Sequence, residues 1–200
     1  VTEVIPTTAT DDQLDQYVAN IIAAFNAATE SQRERGRSWY WVARDLAYII
    51  GGGDIRIGAG VIAALSANKR WAENVKLAKD AGNGDVHGHT EANLAKVRAI
   101  LIDGADPEDI LPMWSKTGHF FMNILDPSDP DPVTIDRHAH DVAVGEVYGG
   151  KPRGLDSKQR YAILALAYRL AARKLSEMPN VVQATVWVRH VEMLKGKGTR

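Results

Sequence analysis

The residues whose types and spacing could do chemistry are concentrated between Leu111 and Val144, in the run LPMWSKTGHFFMNILDPSDPDPVTIDRHAHDV. Asp136 follows a rigid acidic proline loop, and Thr134-Ile135-Asp136 reads as the start of a helix reaching about Val144. At a helix N-terminus the dipole and the free amides favour the ionised carboxylate. Such a group suits stabilisation of a developing cation or orientation of a water; it is also an ordinary N-cap. Lys116 is an amine that becomes a nucleophile only where burial or neighbouring positive charge lowers its pKa, and otherwise serves at the surface or against a phosphate. His138, His140 and Asp141, with His87 and His89, offer the ligand types of a metal-dependent hydrolase. Residues two apart on a helix face different directions, however, so His138 and His140 do not converge, and no metal is expected.

The elements that must position these groups are helical throughout. Leu14, Tyr17, Val18, Ile21, Ile22 and Phe25 repeat at three- and four-residue spacing, which predicts a helix over 12–34 capped near Asp11. A second is predicted over 38–50, ending at Gly51-Gly52-Gly53. That glycine run lacks a preceding strand and a Gly-Lys-Ser/Thr ending, so it is no nucleotide loop. The segment 59–67 is small or apolar all round and belongs in a core. Further helices are expected over 68–80, over 91–103 with Thr90 as cap and Gly104 left-handed at its end, briefly after Asp106-Pro107, and over 116–125. The last two are expected over 158–177, capped by Asp156 or Ser157, and over 181–194, capped by Asn180. No period-two alternation appears, so the fold class is all-α.

Two hundred residues, 45% of them hydrophobic, suffice for one well-buried core or two small lobes, and one compact unit is expected. The absence of cysteine excludes disulfides, thiolate zinc sites and cysteine-ligated iron–sulfur clusters. The sequence shows neither a signal peptide nor an apolar run long enough to span a membrane, so a cytoplasmic protein without membrane contact is expected. A net charge of −1 argues against nonspecific coating of nucleic acid. Arg33, Arg35 and Arg37, and Lys195, Lys197 and Arg200, are the local basic runs.

Several segments together resemble the helix-hairpin-helix DNA glycosylase superfamily, especially its endonuclease-III-like branch. Leu111-Pro112, Lys116-Thr117 and Ile135-Asp136-Arg137-His138 fall in the family's order. Upstream, Ala64-Leu65-Ser66-Ala67-Asn68 looks like its Leu-Leu-Ser-Ala-Gln segment, and Lys96-Val97-Arg98-Ala99-Ile100 like its lysine-bearing helix. The similarity covers about residues 60 to 145. Two departures stand out: the hairpin is one residue shorter and reads Met113-Trp114-Ser115 without glycines, and Asp141 occupies a place commonly positive.

The resemblance implies a two-lobed fold, with a hairpin-bearing lobe over 55–145 and a second lobe from 1–54 and 146–200. It implies a DNA N-glycosylase that flips out and excises a damaged or modified base and leaves an abasic site, with Asp136 and Lys116 catalytic and an AP-lyase step open through Lys116. Asn68 is then expected to fill the gap left by the flipped nucleotide, or else to cap the next helix. Ser115, Thr117 and the amide of Gly118 are expected to grip phosphate. Trp71, His119, Phe120, His138 and Tyr148 are candidates for a base pocket, and Gln183 and Trp187 for the cleft. DNA is the expected partner of a monomer without cofactor. A weaker similarity to phage-associated glycosylase-like proteins suggests a modified phage base, in defence or hypermodification. The competing readings are a noncatalytic helical DNA-binding module and the His/Asp metal hydrolase.

Overall fold

Two threonines decide where the first helices begin. Gln13 N donates to Thr10 Oγ1 (3.2 Å) while Thr10 N donates to Gln13 Oε1 (3.0 Å). Thr29 and Gln32 repeat this reciprocal cap at 2.9 and 3.2 Å. The first two helices are therefore α1 (Asp11–Asn26) and α2 (Glu30–Ile50). The break expected near residue 36 lies instead at 27–29. The second box, Thr29-Glu30-Ser31-Gln32, stops one helix and starts the next, and the arginine run with its glycine continues as helix.

The computed structural model describes residues 8–196, and among them the chain is all helical, without strands. The remaining helices are α3 (Ile55–Ala64), α4 (Trp71–Gly82), α5 (Glu91–Leu101), α6 (Pro107–Ile110), α7 (Lys116–Leu125), α8 (Arg137–Val144), α9 (Lys158–Leu175) and α10 (Pro179–Gly196). Asp54, Asp106, Asp136 and Ser157 cap α3, α6, α8 and α9 through their side chains. Gly104 is left-handed (φ 68°) beyond α5, as its position required. α10 starts earlier than expected, with Pro179 in its first turn, so Asn180 is a buried helical residue and not the cap. No single helix among the described residues is long and apolar enough to cross a membrane.

The chain divides into two units, Val1–Trp39 with Ser128–Arg200, and Tyr40–Pro127. In the terminal unit α1 packs on α8, α9 and α10. Its core includes Ile21, Phe25, Ile135, Ala139, Leu164, Tyr168 and Val182. In the central unit α3 lies against α4, α5, α6 and α7. The burial of its residues 58–64 bears out the all-round apolar pattern.

The dividing points differ from those read in the sequence. Residues 40–54 join the central unit because α2 does not end its packing where it crosses Trp39; Ala47 carbonyl lies where a side chain on Gly58 would stand. Residues 128–145 join the terminal unit because Ala139, Val142 and Ala143 bury their apolar surface among α1 and α9 side chains. Asp136 thus belongs with the terminal helices and Lys116 with the central ones.

Candidate functional site

Asp136 is held from three directions within the terminal unit. Before it, the extended stretch 133–135 is clamped by Tyr161, whose hydroxyl accepts from Ile135 N and donates to Val133 O, both at 2.9 Å. After it, Tyr168 donates from its hydroxyl to Ala139 O (2.9 Å) in the first turn of α8. Tyr161 and Tyr168 are seven residues apart on α9, two turns on one face. Burial drives the Tyr168 phenol well above its ordinary pKa, with the nearby Asp136 charge adding to it, so the hydroxyl keeps its proton for this bond.

The carboxylate itself accepts three N–H donors. Oδ1 takes His138 N (2.9 Å) and Ala139 N (2.8 Å), and Oδ2 takes the indole Nε1–H of Trp187 (2.9 Å) from α10. The first two bonds are a cap, so the structural role of Asp136 is real. The third is not part of any cap. It leaves a half-buried carboxylate with a fixed orientation and open lone-pair capacity on Oδ2.

Aromatic rings cluster about the indole that holds that oxygen. Trp187 meets Trp39 edge-on at 6.0 Å and His138 at 6.3 Å, and His138 lies 5.5 Å from His190. Burial lowers the pKa of both histidines, and for His190 the neighbouring His138 lowers it further. Arg137 Nε donates to His138 Nε2 (3.2 Å), consistent with an unprotonated nitrogen there. His138 therefore packs beside Asp136 as a neutral ring.

Behind α8 runs a buried polar chain. Arg160 donates to Tyr17 Oη (2.9 Å) and to His140 Nε2 (3.3 Å), so the His140 proton sits on Nδ1 and is given to Asp141 Oδ1 (2.9 Å). Arg153 grips Asp141 with two bonds, at 2.7 and 2.8 Å, and Tyr148 N adds a third at 3.2 Å. Burial alone raises the Asp141 carboxyl, but the His140 bond and the Arg153 guanidinium outweigh it and hold the pKa at about 2. The acidic residue at a position where a cation was expected is thus turned inward, and Arg153 neutralises it.

The remaining expected residues separate into two groups. Tyr148 is in the terminal unit, half-buried and edge-on to His140 (4.7 Å), with Lys151 and Arg153 over its ring. In the central unit, Lys116 Nζ donates to Ser66 Oγ (3.0 Å) and Ser66 O (3.2 Å) and stands 5.5 Å from the Phe120 ring. Phe120 is buried, edge-on to Tyr40 and Trp71, so it is a core residue of that unit and not a pocket wall. Trp71 and His119 are half-buried.

Ser115 directs its hydroxyl to Pro112 O (2.8 Å) and leaves the end of α7 without a side-chain cap. The first intrahelical bond there is His119 N to Ser115 O (3.0 Å), so the amides of Thr117 and Gly118 have no intrahelical acceptor. A Cβ on Gly118 would stand 2.2 Å from Met113 Cα, so the tight turn depends on a glycine after the lysine instead of glycines before it. Asn68 is exposed and left-handed (φ 56°) in the turn before α4. Arg70 takes the cap position, so Asn68 is not the cap of that helix.

Two sequence readings lose support. Arg33 and Arg37 pair with Glu30, Arg37 also with Glu177, and Arg35 with Glu192, so the arginine run is not an unpaired cationic patch. Lys197 and Arg200 lie outside the described residues. His138 and His140 diverge on α8, while His89 bonds Ala67 O and Thr90 N. Among the described residues no three His, Cys, Asp or Glu side chains are placed to hold a metal ion.

A family of unknown function, DUF7178, matches residues 3–194 of the chain. The chain belongs to this family. No curated protein and no solved structure matches it at a significant level. For this DUF7178 chain, function must therefore be argued from the Asp136 site. Trp187, Trp39, His190 and Arg153 are the site residues that sequence reasoning missed or left undecided. Only Trp187 carried a signal, as a tryptophan among the apolar positions of a C-terminal helix.

Proposed function

We propose that this protein is a DNA N-glycosylase in which Asp136 stabilises the positive charge that develops on the sugar as the N-glycosidic bond breaks. Departure of the base leaves oxocarbenium character on the anomeric carbon, and a fixed carboxylate beside it lowers the barrier. The observation that carries this reading is the Trp187 bond to Asp136 Oδ2, because a carboxylate acting only as a cap needs no donor from another helix. The neutral His138 and the indole beside it offer apolar faces suited to an extruded base or sugar.

Water is the nucleophile in this proposal. Lys116 donates to both oxygens of Ser66 and lies near a phenyl ring, contacts that suit an ammonium held within the central unit. Lys116 then acts on DNA as a fixed cation, with Thr117 and the Gly118 amide at the α7 end as phosphate contacts and Asn68 as the residue entering the vacated stack, whereas Ser115 directs its donors to Pro112 O and is not a phosphate contact. The substrate class is DNA carrying a damaged or modified base, and a modified phage base fits the same chemistry.

The test is incubation with duplexes carrying varied modified bases, followed by assay for alkali-labile abasic sites. The protein releases at least one base, and Asp136→Asn reduces release by a factor of about 1,000 or more, on the scale of losing a main electrostatic stabiliser. Release that survives Asp136→Asn unchanged removes the proposal, as does the absence of release from every duplex.

A further inference from the structure

The second half of α2 is apolar apart from Arg44 and Asp45, yet the central unit covers only part of it. Tyr40, Ala43, Ala47 and Ile50 are buried, whereas Trp41, Val42, Tyr48 and Ile49 remain 49–66% exposed. Their spacing, i, i+1, i+7 and i+8, places them along one stripe of the helix. Four of the large exposed hydrophobic residues thus share two turns, and contiguous patches of this kind mark interaction sites more often than scattered ones do. The stripe borders a shallow depression of about 480 Å³ lined by Arg44, Asp45, Tyr48, Ile49 and Ile55.

Two charges identify the occupant. Asp45 lies within the stripe and makes no hydrogen bond or ion pair among the described residues, and Arg44 bonds only through Nε, to Leu125 O at 3.1 Å. The Nη groups of Arg44 are without a partner among the described residues. Asp45 within the stripe and the half-buried Arg44 at its edge, midway along its length, form a self-complementary acid and base pattern. Antiparallel packing of two such helices about a twofold axis beside these residues sets Arg44 against Asp45 of the second copy, and Asp45 against Arg44 of the second copy. The same operation sets Trp41 against Tyr48 of the second copy, twice. Such isologous pairing is the commonest way in which a single surface satisfies itself.

We infer that the exposed stripe of α2, Trp41, Val42, Arg44, Asp45, Tyr48 and Ile49, is a homodimer interface in which two copies of this chain pack their α2 helices antiparallel. The inference departs from the monomer expected from sequence, and it is independent of the glycosylase reading, because it uses none of the residues of that site. Four large exposed apolar side chains are few beside a stable interface, which buries about 800 Å² per partner, so association in the micromolar range is expected.

Sedimentation equilibrium on the full chain, at concentrations from about 1 to 200 μM around that expected Kd, is the experiment. The wild-type chain shows a monomer–dimer equilibrium. Asp45→Arg faces two arginines against two, Arg44→Asp faces two aspartates against two, and each weakens self-association by a factor of about 10 to 100. Mixed together, these variants are complementary again and form a one-to-one heterodimer. Circular dichroism confirms that both variants stay folded, as the exposed position of Asp45 and the single bond of Arg44 to Leu125 O allow. A wild-type chain that remains monomeric across the range overturns the inference. A wild-type dimer that neither variant weakens, or variants that fail to pair when mixed, overturns it as well.

Discussion

The indole of Trp187 donates to the Asp136 carboxylate across 2.9 Å and joins α10 to the start of α8. This bond aims an oxygen that the helix cap alone would leave free to rotate within its two amide contacts. Trp187→Phe keeps the ring and removes the donor. Charge-assisted bonds of this kind contribute about 1.5–3 kcal/mol, so kcat for base release should fall by a factor of about 10 to 100 with KM little changed. A change confined to KM would show that the bond orients nothing of catalytic importance.

Arg153 and Asp141 are coupled within the terminal unit, at side-chain exposures of 14% and 3%. Removing the guanidinium leaves a buried carboxylate with only His140 and one amide as donors. Arg153→Ala should therefore destabilise the protein by about 3 kcal/mol in urea unfolding, and Asp141→Asn by a similar amount. The double variant should cost clearly less than the sum of the two. Additive losses would indicate that the two residues act separately.

Stability should decline well before the carboxylates titrate. Burial lowers the pKa of His138, His140 and His190 from 6.5 in the folded protein. Below about pH 6.5 the unfolded chain binds more protons than the folded one, so stability falls as pH falls through that region. Asp141 has the depressed carboxyl, so its contribution is present above the ordinary 3.8 and is lost only as pH approaches about 2. The urea midpoint should drop steadily between about pH 7.5 and 5, and His140→Gln should flatten that slope. A midpoint independent of pH over this interval would contradict the neutral, buried state of these rings.

Lys116 should not form a covalent intermediate. Borohydride added during turnover on a duplex whose base is released is expected to trap no adduct between Lys116 and the sugar. Lys116→Ala is expected to keep base release while lowering DNA affinity and reducing the salt slope by about one. A trapped adduct that disappears in Lys116→Ala would make Lys116 the nucleophile and leave the role of Asp136 intact.

Local signals were strong at several helix starts. Asp106-Pro107, Ser157 and Asp136 mark starts that the fold uses, because a short polar side chain satisfies amides whatever lies around it. The division between α1 and α2 is equally local, in the Thr29-to-Gln32 box, although helical periodicity runs on past it to about residue 34. The glycine at position 36 is explained by α10, where Thr185 approaches so closely that a side chain at 36 would overlap it. Nothing in residues 30–50 announces a neighbour 150 residues away.

The sequence alone determined an all-helical chain with Asp136 capping a helix, since periodicity and capping depend on neighbours within one or two turns. Tertiary structure decided the surroundings of that carboxylate. Trp187 meets it from 51 residues away, Tyr161 and Tyr168 brace the chain on both sides of it, and Arg153 balances the acid behind it. These partners are fixed by how whole helices pack, and the same packing turned Phe120 into core and drew the boundary that separates Lys116 from Asp136. Side chains brought together by packing leave no mark at a constant spacing, so only the folded chain displays them.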